Sequence, residues 1–334
     1  MVRIKAALHR MAAKASKLAL ALTAAVWLGL PAMAAVDAPP LVSAEWLKTH
    51  LNRDDIIILD IRSPYADSGK PDYLKGHIPG ALWSEYPGVW RTERDGVEGM
   101  LPSVEKLEAS LSELGVTEEK TVVIVPAGKD SQEFGGAARI YWTLKQLGQP
   151  SVTILDGGHS AWTADASNPI ETGDVTPEGD MFIAEADTDM VVSDEQVKEQ
   201  IGTRIVMLDG RPHAQFIGND KHSNAKRAGR IPGSVNLDQD RFFDAAKKRL
   251  RPPAELAAIA SSVVDDPAAE IVSYCNTGHW SATNWFVLHE LLGYENVSLY
   301  DASMVGWSAN PALPMEIGEA VGSAKPAVAA SPNG

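Results

Sequence analysis

Among 334 residues there is one thiol, Cys275. It follows the apolar run Ile271-Val272-Ser273-Tyr274 and opens the segment Asn276-Thr277-Gly278-His279-Trp280. From Ser281 onward, Ala282, Trp285, Phe286, Leu288 and Leu292 recur at helical spacing. The pattern is a buried strand, a short loop and a helix start. In parallel α/β sheets, ligands bind at the carboxyl ends of strands. Unpaired backbone N–H groups and the dipole at a helix start favour anions. They therefore favour the thiolate, which is the nucleophilic form of cysteine. Gly278 lets the loop curl without a Cβ clash. The chemistry expected is nucleophilic attack by sulfur, set against the plainer reading of Cys275 as a small buried hydrophobe. One cysteine excludes an internal disulfide framework and a cysteine-rich metal site.

The elements that must position this loop occur twice. Asp60-Ile61-Arg62 recurs as Asp209-Gly210-Arg211, and Gly76-His77-Ile78-Pro79-Gly80-Ala81 recurs as Gly229-Arg230-Ile231-Pro232-Gly233-Ser234. Val152-Thr153-Ile154-Leu155-Asp156 with Trp162 recurs as Val297-Ser298-Leu299-Tyr300-Asp301 with Trp307, and Asn168-Pro169 recurs as Asn310-Pro311. The offsets 149, 153, 145 and 142 keep one order, as expected of a duplicated domain. The first copy has apolar strand runs at 56–59, 122–125 and 152–155, and the second at 205–208, 271–274 and 297–300. Val104, Leu107, Leu111 and Leu114, capped by Ser103 and stopped by Gly115, are spaced as one helix face. Ile140, Tyr141, Leu144 and Leu147 form another, and Leu256, Ile259 and Val263 a third. Ser193 and Gln196 form a capping box. Short apolar strands alternating with helices predict an α/β fold of two tandem domains, each a parallel sheet with helices on both faces. The domains span 41–170 and 189–316, joined by an acidic linker at 171–188 and followed by a flexible tail at 317–334. The first copy lacks the cysteine and carries Pro126-Ala127-Gly128-Lys129-Asp130-Ser131-Gln132 after its matching strand. The offsets predict a longer loop there, in a domain that is structural or forms one wall of a cleft.

Residues 1–34 read as an export signal. Arg3, Lys5, Arg10, Lys14 and Lys17 precede the apolar stretch 18–30, and Ala32-Met33-Ala34 fits a cleavage site. The stretch is shorter than the ~20 residues of a spanning helix. The expectation is a cleaved, periplasmic product with no membrane association. The formal charge of −14 would become −19 on cleavage, with 25 basic and 44 acidic residues remaining. That balance argues against nucleic acid as a partner.

With these motifs in place, the chain resembles the tandem rhodanese family of sulfurtransferases. The resemblance runs over about 41–316 and is carried by Asp60-x-Arg62 with GHIPGA (76–81), LDGGHSAW (155–162), Asp209-x-Arg211 with GRIPGS (229–234), and the CNTGHW loop (275–280). It implies a catalytically inactive first domain and a catalytic Cys275 in the second, with residues 276–280 cradling a persulfide. It also implies transfer of a sulfane sulfur from a small anionic donor to cyanide or a thiol, a protein thiol included, with no metal or organic cofactor. Relatives that use thiosulfate often carry Arg and Lys after the cysteine, and relatives that use mercaptopyruvate a small Gly-Ser-Gly-Val type of loop. Here His279 is the one titratable candidate cation of the loop. Donor binding is therefore expected from Arg230, Arg211 and Lys226, within a basic cluster that includes Lys221, His222 and Arg227. Arg211 has the alternative of a structural pair with Asp209. Gln215 takes the place of the arginine that holds the keto-acid carboxylate, which favours thiosulfate over 3-mercaptopyruvate. The alternatives are a 3-mercaptopyruvate sulfurtransferase and a non-enzymatic periplasmic persulfide carrier. A phosphatase or arsenate reductase of related fold would need a longer loop ending in Arg; Ser281 stands six residues after Cys275 and no Arg intervenes.

Overall fold

A computed structural model describes residues 38–319. The export signal read at 1–34 and the tail from 320 onward lie outside the described residues. The first sheet is built from β1 (Leu41–Val42), β2 (Ile56–Asp60), β3 (Leu82–Trp83), β6 (Thr121–Val125) and β7 (Val152–Leu155), with the hairpin β4 (Thr92–Arg94) and β5 (Val97–Met100) inserted after β3. The second is built from β8 (Val191–Val192), β9 (Val206–Asp209), β10 (Val235–Asn236), β13 (Ile271–Tyr274) and β14 (Val297–Tyr300), with the hairpin β11 (Phe243–Asp244) and β12 (Arg249–Leu250) inserted after β10. The strand orders are β1-β7-β6-β2-β3 and β10-β9-β13-β14-β8, and every ladder in both is parallel. Read from opposite ends, the two orders are one topology, as the repeat predicts.

The repeated motifs are backbone clips. The Asp60 carboxylate accepts from the Arg62 backbone N–H and guanidinium, and the guanidinium reaches the Gly76 carbonyl at 2.8 Å. Asp209, Arg211 and Gly229 repeat the arrangement, with the last bond at 2.9 Å. Each pair is buried and satisfied by bidentate, charge-assisted bonds, so it ties a strand end to the following turn. Ser103, and Ser193 with its capping box, begin helices as read from sequence.

Apolar side chains divide into three layers. Leu47, Ile58, Val123 and Trp162 fill the outer face of the first sheet, and Val197, Met207, Val272 and Trp307 that of the second. Between the sheets lies one continuous core to which both domains contribute. Its axis is the helix Ser131–Gln146, buried along nearly its whole length. Phe134 and Tyr141 on that helix meet the Phe286 ring edge-on, at 5.9 and 4.9 Å. Small residues on the same helix permit the close approach: a Cβ at Gly135 would stand 2.7 Å from His279 Nε2.

The loop after β6 corrects one expectation. It has five residues, 126–130, and so does the loop after β13, 275–279. The changed offset comes from the helix that follows, 16 residues in the first copy against a six-residue α-helix continued by a six-residue π-helical segment, Phe286–Leu291, in the second.

Candidate active site

Cys275 sits at the end of β13, 1 % exposed. The Ser281 hydroxyl, on the helix that follows the loop, donates to its Sγ at 3.6 Å. Four successive carbonyls, Cys275 to Gly278, are engaged from outside the loop. Met304 N–H donates to Cys275 O at 3.0 Å and Val305 N–H to Asn276 O at 2.9 Å. Arg91 donates to Thr277 O, and Arg139 Nη1 to Gly278 O at 3.0 Å. In a trans peptide the N–H points opposite the carbonyl. The N–H groups of Asn276, Thr277 and His279 are thereby turned to the other side, and they have no acceptor among the described residues. The Gly278 N–H is the exception: it shares the Ser303 hydroxyl, at 3.2 Å, with the Cys275 N–H at 3.0 Å, while that hydroxyl donates to Tyr300 O at 2.8 Å. Gly278 needs its φ of +74°, and a Cβ there would lie 2.4 Å from Arg139 Nη1.

The first domain forms one wall of this site. Arg91, at the head of β4, also donates through Nε to Gly99 O at 2.8 Å and through Nη1 to the Tyr86 hydroxyl at 3.0 Å. Tyr86 OH lies 2.7 Å from His279 Nδ1, and His279 Nε2 lies 2.6 Å from Gln132 O. A carbonyl can only accept, so Nε2 carries the proton and Nδ1 accepts from tyrosine. Trp280 Nε1 donates to Gln132 Oε1 at 2.6 Å. Arg139 pairs with Asp301 at 2.6 Å. Beside the loop a cavity of about 430 Å³ is lined by Tyr65, Arg91, Glu98, His222 and Thr277, among others.

These contacts revise several expected roles. His279 is no cation: burial, with Arg91 and Arg139 nearby, lowers its pKa to about 3. Arg211 takes its structural alternative, paired with Asp209 at 2.6 Å. Arg230 is fully buried; it donates to Glu316, to Phe216 O at 3.3 Å and to Gly318 O at 2.6 Å, and stacks over the Phe216 ring. Those bonds commit it to fastening the domain's last segment, as the backbone of its counterpart His77 does with Glu171. Lys226 is exposed, its backbone N–H bonded to Ser308 Oγ at 2.9 Å, and the structure gives its ammonium no contact with the loop. Arg227 caps carbonyls of Trp307, Ser308, Asn310 and Leu313. Asn276 and Gln215 do meet, Nδ2 to Oε1 at 2.9 Å. Sequence reasoning missed Arg91, Tyr86, Gln132 and Arg139, which lie in the other domain, and Ser303.

The matching loop of the first domain has Pro126 where the second has Cys275. Its N–H groups at Ala127, Gly128 and Lys129 converge on the buried Glu133 carboxylate, at 2.5, 3.0 and 3.4 Å. Burial pushes that carboxyl up to about 7 against the bonds from the three amides.

Comparison with known proteins agrees with this picture. A thiosulfate sulfurtransferase of Pseudomonas aeruginosa is 28% identical over 282 residues, covering 84% of this chain and 98% of its own. A Synechococcus elongatus relative is 30% identical over 306 residues, covering 87% of this chain and 89% of its own. Among solved structures, a complex of the EanB Tyr-to-Ala variant with ergothioneine superposes with TM-score 0.70 at 25% identity, covering 84% of this chain and 71% of that one. YnjE superposes at 0.71 and 24%, covering 84% and 69%. The rhodanese-like domain model matches twice, at residues 43–165 and 193–310, each segment holding four of the five strands of one sheet. The chain therefore belongs to the rhodanese family, as a tandem of two such domains with its cysteine in the second.

Proposed function

We propose that the protein transfers sulfane sulfur through a persulfide on Cys275, with thiosulfate as donor and cyanide or a thiol as acceptor. The carrying observation is the outward anchoring of four successive loop carbonyls, which leaves amide donors on the side opposite them. The Cys275 thiolate attacks the outer sulfur of thiosulfate. A new S–S bond forms, the donor's S–S bond breaks, and its electron pair leaves with sulfite. The terminal persulfide sulfur, an anion, is held by loop amides in place of water. The acceptor then attacks that sulfur and the thiolate is regenerated, giving ping-pong kinetics. Burial of Cys275 suits small donors and acceptors and supports turnover over service as a protein-to-protein carrier. The names of the relatives support thiosulfate, and so does the neutral Gln215 beside Asn276, where a keto-acid carboxylate would want a cation. We place this activity in the periplasm on the strength of the leader at 1–34.

The test compares the purified protein with Cys275→Ser. Thiosulfate and 3-mercaptopyruvate are offered in turn with cyanide, and intact mass is recorded after donor alone. Thiocyanate from the unaltered protein only, fastest with thiosulfate, and a gain of one sulfur atom are expected. Faster turnover with 3-mercaptopyruvate would reassign the donor. A persulfide without turnover would support the carrier role, and neither turnover nor mass gain would end the reading.

A further inference from the structure

The loop that holds Cys275 contains no cation, since His279 is neutral, yet the proposed reaction gathers negative charge there. Of the charged and titratable groups around it, Glu98 and His222 line the cavity at Arg91, with Glu98 accepting from Asn224 at 2.6 Å, and Tyr65 stacks on His279. Arg211, after β9, is neutralised by Asp209. Arg139, on the helix Ser131–Gln146, is neutralised by Asp301. Tyr274 on β13 and Tyr86 from the first domain are buried and held in the neutral form. Arg91 differs from both other arginines. Its acceptors, Gly99 O, Thr277 O and the Tyr86 hydroxyl, are all neutral, and no salt-bridge partner is found among the described residues. Burial works against its charge, but Tyr86, Asp301 and the Cys275 sulfur favour it and prevail. It also lines the cavity beside Thr277.

We propose that Arg91, on the domain that lacks the nucleophile, is the positioning residue of the site, supplying the uncompensated positive charge that the cysteine loop lacks and fixing Thr277 O outward. This rests on the sulfur-transfer reading and extends it: the first domain is a working half of the active site. Gly99 is part of the device. A Cβ at that position would stand 2.2 Å from Arg91 Nη2, so the glycine makes the room in which the guanidinium lies. Tyr86 is the brace, accepting from Arg91 while donating to His279.

The experiment measures the rate of Cys275 alkylation by iodoacetamide against pH, which needs no sulfur donor and reads a single thiol. It is run on the unaltered protein, Arg91→Met, Arg91→Lys and Gly99→Ala, with melting curves for each and kcat and KM for thiosulfate. Arg91→Met is expected to move the alkylation midpoint upward by about one pH unit, which is about tenfold less thiolate at a fixed lower pH. Arg91→Lys restores part of the shift because the charge returns without the fork of donors. Gly99→Ala, which displaces the guanidinium and leaves it in the chain, shifts the midpoint in the same direction, and the loss in kcat/KM follows the same order. A midpoint unchanged in folded Arg91→Met and Gly99→Ala would overturn the proposal. If the unaltered protein transfers no sulfur, the reading of the previous subsection falls, while the alkylation midpoints still decide the role of Arg91.

Discussion

Ser303 stands at a left-handed backbone position, φ 48°, that its counterpart in the first domain, Gly158, occupies without a side chain at φ 57°. Serine is strained there, and what offsets the strain is its hydroxyl, which satisfies two buried loop N–H groups and one carbonyl. Ser303→Ala keeps the strain and loses the bonds, so a loss of about 1–3 kcal/mol is expected in urea unfolding. Ser303→Gly loses the same bonds but relieves the backbone, so it is expected to be about 1 kcal/mol more stable than the alanine variant. Both should lower the transfer rate alike, because the rate depends on the hydroxyl. His279 gives a second expectation at this scale. Its pKa is lowered to about 3 from an ordinary 6.5, so the imidazole carries no charge at working pH. His279→Gln should reduce activity while leaving the shape of the pH–rate profile between 5.5 and 8 unchanged; a lost inflection near 6.5 would contradict the neutral assignment.

The pairing of the helix Ser131–Gln146 with the helix from Trp280 is what brings the two domains' site residues together. Phe286→Ala removes the ring that Phe134 and Tyr141 both meet, and a loss of about 3–5 kcal/mol is expected. Because the ring lies in a core shared by both domains, the loss should appear in one common unfolding transition. Local pattern made these elements readable: β7, β13 and β14 fall where apolar runs put them, and Ser103 and Ser193 cap the helices they were read to cap. The second helix of the first copy shows in the sequence as a face from Ile140 to Leu147, while its first turns, from Ser131, carry small and polar residues that read as loop. Arg91 was invisible for a different reason. Its bond to Thr277 spans 186 positions, and no periodicity or motif encodes a contact made only when two sheets dock. Arg230 shows the converse, since a motif fixes where a residue lies along the chain but not which way its side chain turns.

For the molecule as a whole, a buried acid and desolvated histidines tie stability to pH in opposite senses. Glu133 has a folded pKa near 7 against an ordinary 4.5, so the folded chain takes up a proton that the unfolded chain releases. Its contribution is present in full below 4.5 and lost as pH rises through about 7. His279 and His159, lowered to about 3 and about 4, resist protonation in the fold and so reduce stability as pH falls below 6.5. Glu133→Gln should flatten the decline between pH 5 and 8 by roughly 2–3 kcal/mol, read from urea midpoints across that range. The same carboxylate has a consequence for engineering. The amides that would receive a charged sulfur in the second domain are, in the first, already occupied by a carboxylate tethered to the same chain. Cysteine introduced at Pro126 alone is therefore expected to stay inert, and a second working loop would take two coordinated changes, one at Pro126 and one at Glu133.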